Sequence, residues 1–200
     1  MKITLLNIDT KKPFSEYEKY LIYAQDERRE KIANCKIERD KTTLLLSHLF
    51  ARKRIAEELN IPFSRVRILY NQYGKPYVEH EGFHFSVSHS GNLIAFAHHS
   101  SPIGIDVEMI KDSISPAIRF FTENEKAYIN NNPESFFEIW TKKEAYVKYT
   151  GKGLSEGFKT FDVLEENIKK LFLTTCCKNF HITLCGEGLT AVTIHRETAK

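Results

Sequence analysis

Hydrophobic and polar positions along the 200-residue chain change their period several times, and each change predicts an element. An apolar run over residues 2 to 7 predicts a strand. Helical pattern follows around 14 to 34. It is stronger from 39 to 59, where Leu45, Leu49, Arg52, Ile55, Ala56 and Leu59 recur at intervals of three and four. The sequence "NIP" ends that helix, because the residue before Pro62 is pushed out of helical geometry. "VRILY" predicts a strand, "NQYGKPY" a turn or hairpin, and "FHFSVSHS" and "LIAFAHH" two more strands. In "PIGIDVEMI" the alternation sends Ile103, Ile105 and Val107 to one face and Asp106 and Glu108 to the other.

The second half repeats this plan without repeating the sequence. "TENE" matches a capping box, with Thr122 as cap and Glu125 at the third helical position. Pro133 suits a first helical turn, and Gly151 suits a left-handed cap, so a helix is predicted from 133 to about 149. "FDVL", "LFLTTCC", "FHITLC" and "LTAVTIH" carry strand patterns. The expected fold class is α+β, built of two similar halves. These are residues 1–102 and 103–200, joined near Pro102 with no low-complexity linker.

Composition narrows the class. The chain is 42% hydrophobic and 12% aromatic, enough for a sizeable core, and its net charge of +3 is too small to argue for nucleic acid. Lys and Arg concentrate between Arg28 and Arg67, a pattern expected of a solvated helix face. Cys35, Cys176, Cys177 and Cys185 lack CxxC spacing and have no histidines at zinc-site intervals, so they read as reduced residues rather than ligands. "ITLLNI" is too short for a signal peptide, and nothing approaches a membrane span. A cytoplasmic, monomeric protein that engages neither membrane nor nucleic acid is the expectation.

Two motifs carry candidate chemistry. Asp106 and Glu108 sit roughly 7 Å apart along one strand face, where like charges repel unless something positive intervenes. A solvated sheet face would explain them too, but Gly104 just before them lets a backbone or a ligand come close. In "WTKKEAYVK", Trp140, Glu144 and Lys148 fall on one helical stripe. Glu144 and Lys148 could be an ordinary surface ion pair. Taken together, Asp106, Glu108 and Glu144 suit one hard divalent cation such as magnesium, which prefers oxygen ligands and leaves positions for phosphate. "SVSHSG" offers Ser88, Ser90 and His89, "YGKP" offers Lys75 on a tight turn, and Lys148 adds a second cation. A pyrophosphate could lie between the metal and these groups.

This set resembles the 4'-phosphopantetheinyl transferases, in particular the two-halved type that activates surfactin synthetase. The family's ordered signature is a G-K-P turn, an F-N-x-S-H-S strand end, a G-x-D-x-E strand and a W-x-x-K-E-A-x-x-K helix. Here these read "YGKP" (73–76), "FSVSHS" (85–90), "GIDVE" (104–108) and "WTKKEAYVK" (140–148), followed by "GKGL". The resemblance implies a pseudodimer of α+β halves that moves phosphopantetheine from coenzyme A to a serine of an acyl or peptidyl carrier protein. It implies Asp106, Glu108 and Glu144 as ligands of magnesium, with manganese as a substitute. Arg28, Lys31, Lys75, Ser88, His89 and Lys148 would contact coenzyme A, and Glu144, Lys148 and His89 would act in catalysis. Glu125 is a second candidate base, because the family has a glutamate there. Two positions depart from the pattern: Ser86 replaces the family's asparagine, and Lys41 stands where an arginine is common. A basic and apolar rim for the carrier is expected within "MIKDSISPAIRFF".

Two other classes compete. A magnesium-dependent nuclease or phosphatase would use the same acids, though such sites commonly hold two metals and more carboxylates. A binding module using the 28–67 patch would leave the ordered acids, histidine and lysines without a purpose.

Overall fold

The computed structural model describes residues 2–153 and 157–198. Strand β1 (Lys2–Asn7) leads through two 3-10 turns, at Phe14–Glu16 and Glu18–Tyr23, into α1 (Asp26–Ala33) and the long α2 (Glu38–Leu59). The region read as one helical stretch from 14 to 34 is therefore two 3-10 segments and a short helix. Phe14, Tyr17, Ala24 and Ile32 pin it to Leu45 of α2. Asn60 ends α2 in the left-handed conformation, φ 52°, ψ 45°. Strands β2 (Leu69–Tyr70) and β3 (Pro76–Tyr77) form a small hairpin, so "VRILY" contributes only its last two residues as strand.

Next come β4 (His84–Ser90), β5 (Leu93–His99) and β6 (Ile103–Met109). The capped helix α3 (Glu123–Ile129) precedes α4 (Pro133–Thr150). Both bonds of the Thr122–Glu125 capping box form, and Gly151 closes α4 at φ 70°. A short α5 (Glu166–Lys169) leads to β7 (Phe172–Cys177), β8 (Phe180–Gly186) and β9 (Thr193–Thr198). "FDVL" is not a strand: the Asp162 carboxylate accepts from Leu164 N–H at 2.8 Å and turns the chain. Leu154 of "GKGL" lies outside the described residues.

Two sheets organise the molecule, one ordered β4-β5-β1-β9 and the other β6-β8-β7. They share one apolar core. Ile3, Leu5, Leu93, Ala95 and Ala97 of the first meet Ile103, Ile105, Val107, Ile182 and Leu184 of the second. Alternation gives each sheet a second face. On the first sheet Leu6, Phe85, Ile94 and Phe96 pack under Phe50, Ala51 and Ile55 of α2. Helix α4 covers the second sheet by lying on β6 and β8. The result is an α+β pseudodimer, a helix-backed sheet facing its counterpart. One crossover joins the halves: β9, on the far side of residue 102, pairs in parallel with β1. It covers the free edge of β1, which would otherwise present unpaired backbone groups.

The basic residues of 28–67 do not form one solvated face. Arg52 is buried, donating to the carbonyls of Val66 and Phe63 at 3.1 Å each. Arg54, also buried, pairs with Glu58 at 2.6 Å and reaches Glu197 of β9 at 3.3 Å. Among the described residues, no helix is long and apolar enough to cross a membrane.

Candidate active site

The site forms where β4 of the first half lies beside β6 of the second. The two strands are stitched by serine side chains rather than by a backbone ladder. Ser86 Oγ accepts from Ile105 N–H at 3.0 Å, and Ser90 Oγ accepts from Met109 N–H at 3.1 Å. Ser88 Oγ donates to Asp106 Oδ1 at 2.6 Å, and Ser90 Oγ donates to Glu108 Oε2 at 2.7 Å. Period two puts all three hydroxyls on the one face of β4 that is turned to β6. Ser86, the departure from the family asparagine, thus still fixes the strand end, using a hydroxyl as acceptor.

Helix α4 supplies the rest. It presses on β6 at Gly104, where a Cβ would stand 2.0 Å from the Ala145 carbonyl oxygen and 2.6 Å from Tyr149 N. The glycine is required for helix contact, and that contact places Glu144 and Lys148 over the acid pair. Lys148 Nζ donates to Asp106 Oδ1 at 2.6 Å and to Ser88 Oγ at 2.8 Å. Glu144 and Lys148 are therefore no surface pair; the lysine turns inward to the strand. Nor is the acid face solvated, since Asp106 is 3% exposed and Glu108 only partly exposed.

Electrostatics show three carboxyl groups sharing a poorly hydrated space. Burial, and then the charge of Asp106, pushes the Glu144 carboxyl up to about 7, against the pull of Lys148. Burial raises Glu108 as well, opposed by its hydrogen bond from Ser90. Asp106 Oδ2 is buried and has no hydrogen-bond partner. An orphaned carboxylate oxygen beside two carboxyls whose ionisation is resisted is a donor set short of positive charge. Such a set fits a hard divalent cation. Among the described residues, the three acids do not bring their oxygens to within 4.8 Å of one another. Ser88 and Lys148 hold one of them, and Ser90 another.

The other expected residues divide. His89 is exposed at the end of β4, within electrostatic reach of Lys148, Asp106 and Asp40 near the head of α2. It stands between the halves. Lys75 is not an exposed turn lysine: its ammonium donates to the Tyr149 carbonyl at 3.1 Å and the Ile103 carbonyl at 3.4 Å, holding the end of α4. Arg28 sits over the Tyr70 ring, 5.8 Å from its centroid, and donates to the Tyr70 hydroxyl. It shares a small cleft with His48, Pro76 and Val87, one residue from Ser88. Lys31 is exposed on α1 and Lys41 pairs with Glu38 at 2.9 Å. No bond joins Arg28, Lys31 or Lys75 to the acid cluster among the described residues.

Glu125, the second candidate base, lies elsewhere. It is fully buried, accepts from Thr122 N–H and Val163 N–H at 2.9 Å each, and pairs with Lys143 at 2.9 Å. Lys143 also donates to the carbonyls of Phe158 (2.6 Å) and Phe161 (2.8 Å). The sequence reading missed this lysine's role. A signal existed: Lys143 stands four residues from both Ile139 and Val147, on a stripe that is otherwise buried and apolar.

Comparison with known proteins decides the family. The model of the 4'-phosphopantetheinyl transferase superfamily matches residues 102–196, and that of a 4'-phosphopantetheinyl transferase N-terminal domain matches residues 11–101. Sfp, a 4'-phosphopantetheinyl transferase of Bacillus subtilis (strain 168), is 32% identical over 170 residues, which cover 82% of this chain and 76% of Sfp. The chain belongs to the 4'-phosphopantetheinyl transferase superfamily. The gsp transferase of Aneurinibacillus migulanus is 40% identical over 122 residues, 58% of this chain and 51% of that protein. The match thus spans about half of the gsp transferase and about three quarters of Sfp. A mouse phosphopantetheinyl transferase, named for L-aminoadipate-semialdehyde dehydrogenase, is 30% identical over 179 residues, 76% of this chain and 57% of that protein. Phosphopantetheinyl transfer is the activity that the names of all three relatives state.

Proposed function

We propose that this chain transfers the 4'-phosphopantetheine arm of coenzyme A to a serine of an acyl or peptidyl carrier protein, releasing 3',5'-ADP, and that it requires magnesium. We place the reaction in the cytoplasm and assign it to the monomer. The observation that carries the reading is the buried, unpartnered Asp106 Oδ2 beside Glu108, Glu144 and Lys148. It calls for a cation, and Lys148 and His89 beside it are suited to phosphate.

Asp106, Glu108 and Glu144 would hold magnesium, or manganese in its place. When bound, the ion supplies charge neutralisation of a diphosphate and of the leaving oxygen. Lys148 can rotate from Asp106 toward phosphate once the carboxylate has another partner, and there it opposes charge developing on the leaving 3',5'-ADP. His89, exposed at the end of β4, can donate to a second phosphate oxygen. Ser88 keeps Asp106 oriented, and Ser90 does the same for Glu108. The carrier's serine gives its proton to a carboxylate, with Glu144 the first candidate, or to a water; the serine oxygen then bonds to the β-phosphorus as the bond to ADP breaks. Lys75 acts by fixing the end of α4, and Arg28 would approach the nucleotide from the small cleft it shares with Tyr70. Phe120 and Arg119, exposed beyond β6, offer the apolar and basic rim for a carrier.

The test is product identity. Incubation with coenzyme A, magnesium and apo carrier proteins should add one phosphopantetheine arm to the carrier by intact mass and release one 3',5'-ADP per arm. Cleavage of coenzyme A without a modified carrier would overturn the proposal.

A further inference from the structure

A second cluster of donor side chains lies on the same helix and sheet, beside the carboxylate triad, since His181 pairs with Glu108 across the β6–β8 ladder. Glu134 in the first turn of α4, Cys176 of β7 and His181 of β8 bring one ligand atom each to within 4.8 Å of one another. Cys176 and His181 are directly paired in the β7–β8 ladder, so their side chains share a face. Helix α4 lays Glu134 over that face, with Glu138 one turn further on. Cys176 Sγ and His181 Nδ1 are 3.6 Å apart. A tetrahedral zinc ion, with Zn–S and Zn–N distances of about 2.3 and 2.0–2.1 Å, separates its sulfur and nitrogen ligands by roughly 3.5 Å. His181 is 5% exposed, and its Nε2 has no hydrogen-bond partner. Nδ1 is the nitrogen turned to Cys176 Sγ, so the tautomer protonated at Nε2 presents its lone pair on the thiol's side.

We propose that Glu134, Cys176 and His181 form a binding site for a soft divalent transition cation of the zinc class, with solvent completing the coordination. The donors are one thiolate, one imidazole and one carboxylate, a set that selects such an ion over magnesium. Cys176 and Glu134 are exposed, so the ion has a path from solvent. Burial and the nearby Glu134 and Glu138 raise the Cys176 thiol above its ordinary value, so binding expels its proton into solvent. The ion would tie the start of α4 to β7, the edge strand of the second sheet. The spacing of cysteines along the chain conceals this set, because each donor comes from a different element.

The experiment titrates reduced, metal-free protein with Co2+ and then Zn2+. One equivalent of Co2+ should give a thiolate-to-cobalt charge-transfer band in the near ultraviolet, Zn2+ should displace it, and the thermal midpoint should rise. Cys176→Ser should abolish the band and weaken zinc binding at least tenfold. Glu134→Gln, an exposed change that spares the fold, should weaken it by a smaller factor. Asp106→Asn should leave band and stoichiometry unchanged, which separates this site from the carboxylate triad. Absence of the band, its survival in Cys176→Ser, or its loss in Asp106→Asn would each overturn the proposal.

Discussion

Two of the lysine–acid pairs on helix α4 have lysines five residues apart, and they differ in how completely their polar atoms are matched. Lys143 and Glu125 are both completely buried, 2.9 Å apart, and the pair is bonded to the carbonyls of Phe158 and Phe161 and the N–H groups of Thr122 and Val163. Lys148 and Asp106 lie 2.6 Å apart, but Lys148 keeps 28% of its side chain exposed and Asp106 keeps an oxygen with no partner. Glu108 and Glu144 crowd the second pair, whereas Asp162, the further carboxyl near the first, is satisfied by Thr122, Asn124 and Leu164. The closed pair fastens α3 and the 158–163 segment to α4. The open pair has unspent charge, and that is the capacity a reaction needs.

Breaking the closed pair should cost the most stability. Lys143→Met leaves Glu125 buried without a counter-charge and should lower unfolding free energy by about 3–5 kcal/mol in denaturant titrations. Lys143→Met with Glu125→Gln should recover much of that loss, because no charge is then stranded. Gly104→Ala attacks the contact that brings the open pair together. The added methyl cannot fit 2.0 Å from the Ala145 carbonyl, so α4 must move. Destabilisation of about 1–3 kcal/mol is expected. Transfer should fall by about 100-fold beyond the loss of folded protein, the cost of misplacing groups by about 1 Å.

A third probe concerns the first half. Burial, with Arg28 and Arg52 nearby, lowers His48 from 6.5 to about 3, and its Nε2 accepts from Gln25 N–H at 3.3 Å. The folded state holds this imidazole neutral while the unfolded chain protonates it. Its contribution is complete above 6.5 and is lost progressively as pH falls toward about 3. Stability measured across that window should fall less steeply for His48→Gln than for the parent. The smallest effect is expected from Ser90→Ala, which removes one acceptor for Met109 N–H and one donor to Glu108. It should cost about 1 kcal/mol and reduce transfer only modestly.

Much of this was legible in the chain because its signals are local. The α2 and α4 helices announce themselves by spacing and caps, and Thr122, Glu125 and Gly151 act as their sequence context implies. The alternation in "GIDVE" correctly separated Asp106 and Glu108 from Ile105 and Val107. What covers the acidic face was not local, since α4 arrives from 40 residues away through Gly104. The 3-10 turns of 14–23 escaped for a related reason: Phe14 and Tyr17 are set by Leu45, not by their own neighbours. Strand β9 pairs with β1 across nearly the whole chain, a partnership no window could contain. Lysine environments were the least legible. Lys75 and Lys143 look like surface residues and are spent on buried carbonyls, while Lys148 alone of the three faces the open acids.

The contrast between the two pairs is settled by matched transfer reactions, with the parent, Asp106→Asn and Lys143→Met compared at equal concentrations of folded protein. Intact mass of the carrier should show complete modification by the parent with magnesium and none after chelation. Asp106→Asn should be slower by at least about 100-fold with its folding intact, whereas folded Lys143→Met should retain most of its rate. Carrier modification by Asp106→Asn at the parental rate, or by the parent in the absence of any divalent ion, would show that the open carboxylates are not where the chemistry is done.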